Sequence, residues 1–387
     1  MNNEYVIAAI KQVLNTVPAV YAYIAGSMNT PFFKESSDID LVVIWEDKPT
    51  LEQRNKFISL FPLNSPIEWS FLDTQGEIIR DAVKFANLNK IEIYHHTYSA
   101  LEYALQTQYE ADGLAYSIAN RLPLILNEAM EEYINNHQKD LRIEKQNLAF
   151  SIMDNLKQTT ITGSLIHDII RLYSFSQWNS VPAQKHWKKI IEMIPNGELL
   201  LDNAERWLNE SIGLVQKWGE TAPPLILSVD ESSHLKKYDP TIAPLIFEKI
   251  EIQRQRLQEY LSWPKKIKTL EDQEAFGRQA DLQWDQGQAF HYQIFEENVF
   301  QGAISIHSMN YSERSFEFGY WVDQDSEGKG YISKGLEALK KEMKMAGWKI
   351  ARIRTQYGNI KSQRVPARTR MSFSKEDSSF LYYERVL

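Results

Sequence analysis

The chain of 387 residues contains no cysteine. That excludes disulfides, Cys-ligated zinc and an acyl-cysteine intermediate, so any chemistry runs through oxygen groups, His or bound ions. Long apolar runs are also missing: stretches such as Leu41-Val42-Val43-Ile44-Trp45 fall far short of the roughly 20 residues that span a bilayer. Basic residues are outnumbered, 43 against 51 acidic, for a formal charge of −8. An acidic balance argues against broad nucleic-acid binding, which rests on neutralising phosphates. Met1-Asn2-Asn3-Glu4-Tyr5 lacks the basic and then apolar pattern of a signal peptide, so the expectation is a cytoplasmic protein with no membrane partner.

What remains is an ordinary globular composition on a chain too long for one core, which predicts two or three domains. Up to Asn127 helix and strand patterns alternate: helix 3–14, strand 19–24, strand 38–45, helix 51–61, and strands 67–72 and 90–95. Helical periodicity then dominates over 128–157, 164–178, 184–194 and 199–218. Thr221-Ala222-Pro223-Pro224 stops the last helix and reads as a linker. Strand patterns return at 289–295, 300–307, 316–322 and 349–355, with a helix over 333–345. The expected class is a multidomain α+β and α/β protein with boundaries at 1–127, 128–222 and 225–387.

The sharpest motif is Gly26-Ser27 followed by Asp38-Ile39-Asp40 and an apolar strand. Side chains at i and i+2 of a strand share a face, so Asp38 and Asp40 stand together. Paired carboxylates repel unless a cation lies between them, and a hard ion such as Mg²⁺ suits carboxylate and phosphate oxygens. Gly26 and Ser27 let backbone N–H groups approach a triphosphate. Glu68, a lone acid in Ile67-Glu68-Trp69-Ser70-Phe71, is the candidate third carboxylate or base, with Asp73 as fallback. His95 and His96 point to opposite strand faces, cannot chelate one ion together, and read as structural.

This pattern resembles the DNA polymerase β-type nucleotidyltransferases, and the helical block after it resembles the aminoglycoside nucleotidyltransferase branch. The resemblance implies Mg²⁺ on Asp38 and Asp40, Glu68 as base, nucleotide phosphates on Gly26 and Ser27, and Lys185 on the triphosphate. The expected reaction moves AMP from ATP to a hydroxyl.

The second constellation is Gly328-Lys329-Gly330 between a strand and a helix start, a backbone cradle for a pyrophosphate. It fits neither a dinucleotide fingerprint nor a kinase-type phosphate loop. With Leu261-Ser262-Trp263-Pro264, Glu317-Phe318-Gly319-Tyr320-Trp321 and Asn359-Ile360-Lys361-Ser362, it resembles the GNAT N-acetyltransferases of the Rim-type branch. That resemblance implies a mixed α/β domain using acetyl-CoA. Asn359 would hold the pantetheine arm, Ser362 protonate the thiolate, and Glu317 take the amine proton.

Together these readings predict a bifunctional transferase acting on a small molecule such as an aminoglycoside, hence antibiotic resistance. The alternatives are an adenylyltransferase of protein or RNA, as a toxin or regulator, or a chain in which one module only binds.

Overall fold

The computed structural model describes residues 3–34, 37–61, 67–72, 79–84, 90–107, 114–125, 127–138, 140–156 and 162–387. Internal contacts divide the chain into two units, Met1–Leu141 with Ser174–Ile190 and Arg142–Tyr173 with Ile191–Leu387. This division cuts across the expected block 128–222. Residues 128–141 and 174–190 fall in the first unit, and 142–173 and 191–222 in the second.

Among its described residues the first unit is built on a six-stranded sheet. Its strands are β1 (Ala19–Ala25), β2 (Ile39–Trp45), β3 (Ile67–Leu72), β4 (Ile79–Lys84), β5 (Lys90–Thr97) and β6 (Leu122–Ile125). They lie in the order β3-β4-β5-β2-β1-β6. β2 and β5 are parallel, while the other neighbours are antiparallel. β2 reads as a continuous apolar run because both its faces are covered. Leu41, Val43 and Trp45 pack with Ile10 and Phe57 on one side, and Val42 and Ile44 with Leu101 and Ile134 on the other.

The strand β4 is hard to see in sequence because Asp81 sits at its centre, fully buried. Arg54 reaches both oxygens of that carboxylate at 2.7 and 2.9 Å. His95 Nδ1 accepts from Trp45 Nε1 at 3.0 Å, so its Nε2 carries the proton toward Asp81, 3.1 Å away. His95 is thereby fixed within the core.

The second unit holds an eight-stranded sheet of β7 (Ile226–Ser228), β8 (Ser233–Lys237), β9 (Phe290–Glu296), β10 (Val299–Asn310), β11 (Ser315–Val322), β12 (Ile350–Gln356), β13 (Ser372–Glu376) and β14 (Phe380–Val386). The order is β13-β14-β12-β11-β10-β9-β8-β7. β11 and β12 are parallel, joined by the helix Tyr331–Met345 as a parallel pair requires. The expected helix over 128–157 is two helices, Glu128–His137 and Leu141–Asn155.

Thr221–Pro224 is no free tether. Thr221 is fully buried and its carbonyl accepts from Trp348 Nε1 at 2.9 Å, while Pro224 O accepts from Tyr292 OH at 2.6 Å. The helix before it, Ala204–Gly219, lies so close to helix Leu270–Asp285 that a Cβ on Gly213 would stand 1.4 Å from Asp285 O. The two prolines end a helix that is already packed on the C-terminal domain.

Candidate functional site

In the second unit, β11 and β12 pair only from Ser315 with Ile350 to Phe318 with Ile353. Beyond that the strands part, leaving Gly319–Val322 and Arg354–Gln356 without ladder bonds to each other. The wedge lies between two cavities, one of about 510 Å³ and one of about 710 Å³. Tyr320, Trp321, Asn359 and Ser362 line both.

At the meeting point Tyr320 OH lies 3.0 Å from Ser362 Oγ. Burial pushes the Tyr320 phenol upward, so it stays protonated and can donate. Asn359 caps the helix Ile360–Arg368: its side-chain oxygen accepts from Ser362 N at 3.1 Å. The carboxamide NH₂ of Asn359 is left to donate to a ligand.

The larger cavity contains the glycine loop. Gly328 and Gly330 have φ of 80° and 87°, the left-handed region that glycine adopts without strain. A Cβ at Gly328 would meet no atom, and at Gly330 only Lys334 Cε at 4.0 Å. The space above the loop is therefore open, and Gly330 begins a 15-residue helix with no side-chain cap. Its free N–H groups suit an anion. Arg256 and Lys361 also line this cavity, and both pair with Glu327 beside the loop. Lys329 is exposed on the loop.

The smaller cavity holds Glu317, His307 and Arg354. Glu317 and His307 are register partners on β11 and β10, so their side chains share a face. Arg354 Nε lies 3.4 Å from Glu317 Oε1. Burial holds the His307 imidazole below its ordinary value; Glu317 acts against that shift and Arg354 with it. A neutral imidazole beside a carboxylate can accept a proton. The sequence reading found Glu317 but missed His307, Tyr320 and Arg354.

In the first unit, Asp38 is exposed at the approach to β2, and Asp40 is the register partner of Glu92 on the parallel strand β5. Gly26 has φ 75°, and a Cβ there would stand 2.1 Å from Asp40 Oδ2, so only glycine lets this carboxylate lie against the turn. Burial, then the Glu92 and Asp38 carboxylates, push Asp40 up to about 6. Burial acts to raise Glu92, but the Lys90 hydrogen bond and the Arg80 charge outweigh it and hold that carboxyl low. Lys90 also reaches Asp38 at 3.5 Å.

Glu68 lies on the edge strand β3, three strand spacings from β2, or about 14 Å. The third carboxylate beside Asp40 is Glu92 instead. Its sequence signal is a single acid between Ile91 and Ile93. The side chain of Glu68 and all of Asp73 lie outside the described residues. Ser27 O accepts from Thr30 N and Oγ1, which closes the 3₁₀ turn Gly26–Asn29.

Lys185 belongs to the same unit, in the turn Gln184–His186. His186 stacks on Phe32, with centroids 4.9 Å apart. Its imidazole is lowered by burial and by the charges of Lys185, Lys34 and Lys189, so four basic groups gather there. Among the described residues no group of three or more His, Asp or Glu side chains is set to hold a metal ion. No helix is long and apolar enough to cross a membrane among them.

The C-terminal unit thus brings together a parallel pair opened into a wedge, a glycine loop at a helix N-terminus and a carboxylate in the adjoining cavity. Residues 234–372 match the acetyltransferase (GNAT) domain family. The ribosomal-protein-serine acetyltransferase of Escherichia coli (strain K12) is 32% identical over 83 residues, 21% of this chain and 46% of that protein. The chain thus spans about half the length of that curated relative. Similar solved structures include a ribosomal-protein alpha-N-acetyltransferase (RimL) in complex with coenzyme A. It is 22% identical, with a TM-score of 0.41, over 42% of this chain and 98% of its own. Another is the microcin C7 self-immunity acetyltransferase in complex with acetyl-CoA and AMP, 17% identical, TM-score 0.40, over 43% and 99%.

Proposed function

We propose that the C-terminal unit transfers acetyl from acetyl-CoA to a primary amine of a small molecule. The observation that carries this reading is the wedge, where Tyr320 and Ser362 stand between a glycine-loop cavity and a cavity containing Glu317. Gly328, Lys329 and Gly330 take the pyrophosphate and Asn359 the pantetheine arm. The neutral amine attacks the thioester carbonyl, the C–N bond forms and the C–S bond breaks. Glu317, with His307 beside it, takes one proton from the amine nitrogen. Ser362, backed by the Tyr320 hydroxyl, gives one to the leaving sulfur, so the proton count balances. Calorimetry with acetyl-CoA, followed by product masses from an amine panel, tests this reading. Absence of both binding and acetylated product would overturn it.

A second reading is favoured by the acidic cluster of the N-terminal unit: magnesium-dependent transfer of AMP from ATP to a hydroxyl of a small molecule, as in the aminoglycoside class. The donor chemistry suits Mg²⁺, because burial and then two neighbouring carboxylates hold Asp40 high, and a hard cation relieves the repulsion part of that. Asp38 and Asp40 would hold the ion, which would neutralise charge on the phosphates, while Glu92 beside Asp40 is paired with Lys90 and Arg80. Gly26 and Ser27 shape the turn beside them, and Lys34, Lys185 and Lys189 supply positive charge for a triphosphate. Incubation with Mg²⁺, each nucleotide in turn and hydroxylated acceptors tests it by product mass. A mass shift of one nucleoside monophosphate is expected, and its absence with every nucleotide would count against the reading.

A further inference from the structure

Thirty residues line the cavity of about 510 Å³, and only three carry a fixed charge: Glu317, Arg354 and Lys266. The single carboxylate is already engaged by Arg354 at 3.4 Å. Burial holds both cavity histidines low, His291 down to about 4, so neither adds a charge near pH 7. A polycationic acceptor would therefore meet two cations and one shared anion. Taking each unpaired charge out of water is strongly unfavourable.

A polyol finds little among the rings, where Gln273, Gln293 and His291 are already committed and free polar atoms such as Thr355 Oγ1 and the Asn359 NH₂ lie on the strand and helix of the wedge. Gln273 Nε2 donates to Tyr238 OH at 2.7 Å, Gln293 exchanges two bonds of 3.2 Å with the backbone of Asp239, and His291 Nε2 lies 3.0 Å from Gln283 Oε1. Ring surface dominates this part of the cavity: Tyr238, Trp263, Phe276, Phe300 and Trp321. These rings brace one another. Trp263 and Trp321 have centroids 5.8 Å apart, and Tyr238 and Phe276 meet edge to face at 5.5 Å. Rigid aromatic walls bind a flat or apolar body at little entropic cost, and an ammonium group gains further from their faces.

We propose that the acceptor of the acetyl site is a primary amine with one positive charge on an aromatic or apolar body, and not a polycationic amino sugar. This rests on the acetyl-transfer reading above and fixes its substrate class. A cavity of this size takes one small molecule, with its amine at Glu317 and its body among the rings.

The test uses the full chain. Acetyl-CoA binding is first measured by calorimetry, and thiol release is then followed with tryptamine, phenethylamine and kanamycin. The expected result is binding, with kcat/KM for tryptamine or phenethylamine at least 100-fold above that for kanamycin. Trp263→Ala should raise KM for tryptamine about tenfold, with kcat and acetyl-CoA affinity unchanged. Equal or better turnover of kanamycin overturns the inference while leaving acetyl transfer intact. So does acetyl-CoA binding without turnover of either arylalkylamine. Failure to bind acetyl-CoA overturns the acetyl-transfer reading itself, and this inference with it.

Discussion

The two units hold their ionisable groups in opposite ways. In the first, Asp38, Asp40 and Glu92 are clustered with Lys90 and Arg80, and Asp40 is held up to about 6 by its surroundings. In the second, Glu317 and Ser362 face open cavities, and the loop Gly328–Gly330 presents space that no side chain fills. The first arrangement carries electrostatic load in the folded protein itself. The second carries less, held mainly by the two histidines that burial lowers, because its other polar groups surround open volume. Removing a functional group should therefore relieve the first site and leave the fold of the second indifferent.

The largest effect should come from Asp40→Asn, with the proposed nucleotidyl transfer falling on the order of 1000-fold. The same change should raise stability. Asp40 titrates higher in the folded protein than its ordinary 3.8, so its contribution is fully present below that value and is lost as pH rises to about 6. At pH 8 the amide escapes this loss, a gain of about 3 kcal/mol that should vanish near pH 3.5. Thermal denaturation at both pH values reads it. Unchanged transfer would break the catalytic side of the comparison, and a less stable variant the electrostatic side.

Gly330→Val comes next. Its Cβ would meet no neighbour closer than 4.0 Å, so the domain should still fold at a cost of about 1–2 kcal/mol for the left-handed backbone. Acetyl-CoA affinity should drop by roughly 100-fold, since the added methyls occupy the pyrophosphate space. Wild-type affinity in this variant would show that the loop is not the cradle. A smaller loss is expected for Ser362→Ala: about tenfold in kcat with acetyl-CoA binding unaltered, because the Tyr320 hydroxyl remains to supply the proton. Tyr320→Phe combined with Ser362→Ala should lose more than either change alone. Simple additivity in rate would separate the two hydroxyls.

Much of this contrast was legible in the residues. Gly-x-Gly between strand and helix, and Asp-x-Asp before an apolar strand, are local patterns, and both occur where expected. The third carboxylate was not, because Glu92 joins Asp40 through parallel pairing of strands 52 residues apart, a non-local fact. β4 escaped notice since its buried Asp81 is neutralised by Arg54 from a helix. β13 did because all five of its residues are exposed and polar or aromatic. Helical periodicity marked the segments around 142–219 as amphipathic but could not say against what they pack. The clue lay in Gly213 and Gly219, where the neighbouring Asp285 O and Ala149 Cβ leave no room for a side chain.

The smallest effect concerns a feature the units share, a buried neutral histidine in each. Burial lowers His95 in the first unit, and burial lowers His291 to about 4 in the second. A histidine whose folded value is depressed binds protons more readily once unfolded. Stability is then lost as pH falls through the ordinary 6.5 toward the folded value. For His291, going from pH 7 to pH 5.5 should cost about 1 kcal/mol. His291→Gln should remove the His291 part of that slope and leave the His307 and His95 contributions in place. Melting curves of both proteins at the two pH values make the comparison. If the variant loses as much stability as the wild type, the imidazole is already solvated, and the wall of the acceptor cavity at His291 is wetter than its burial implies.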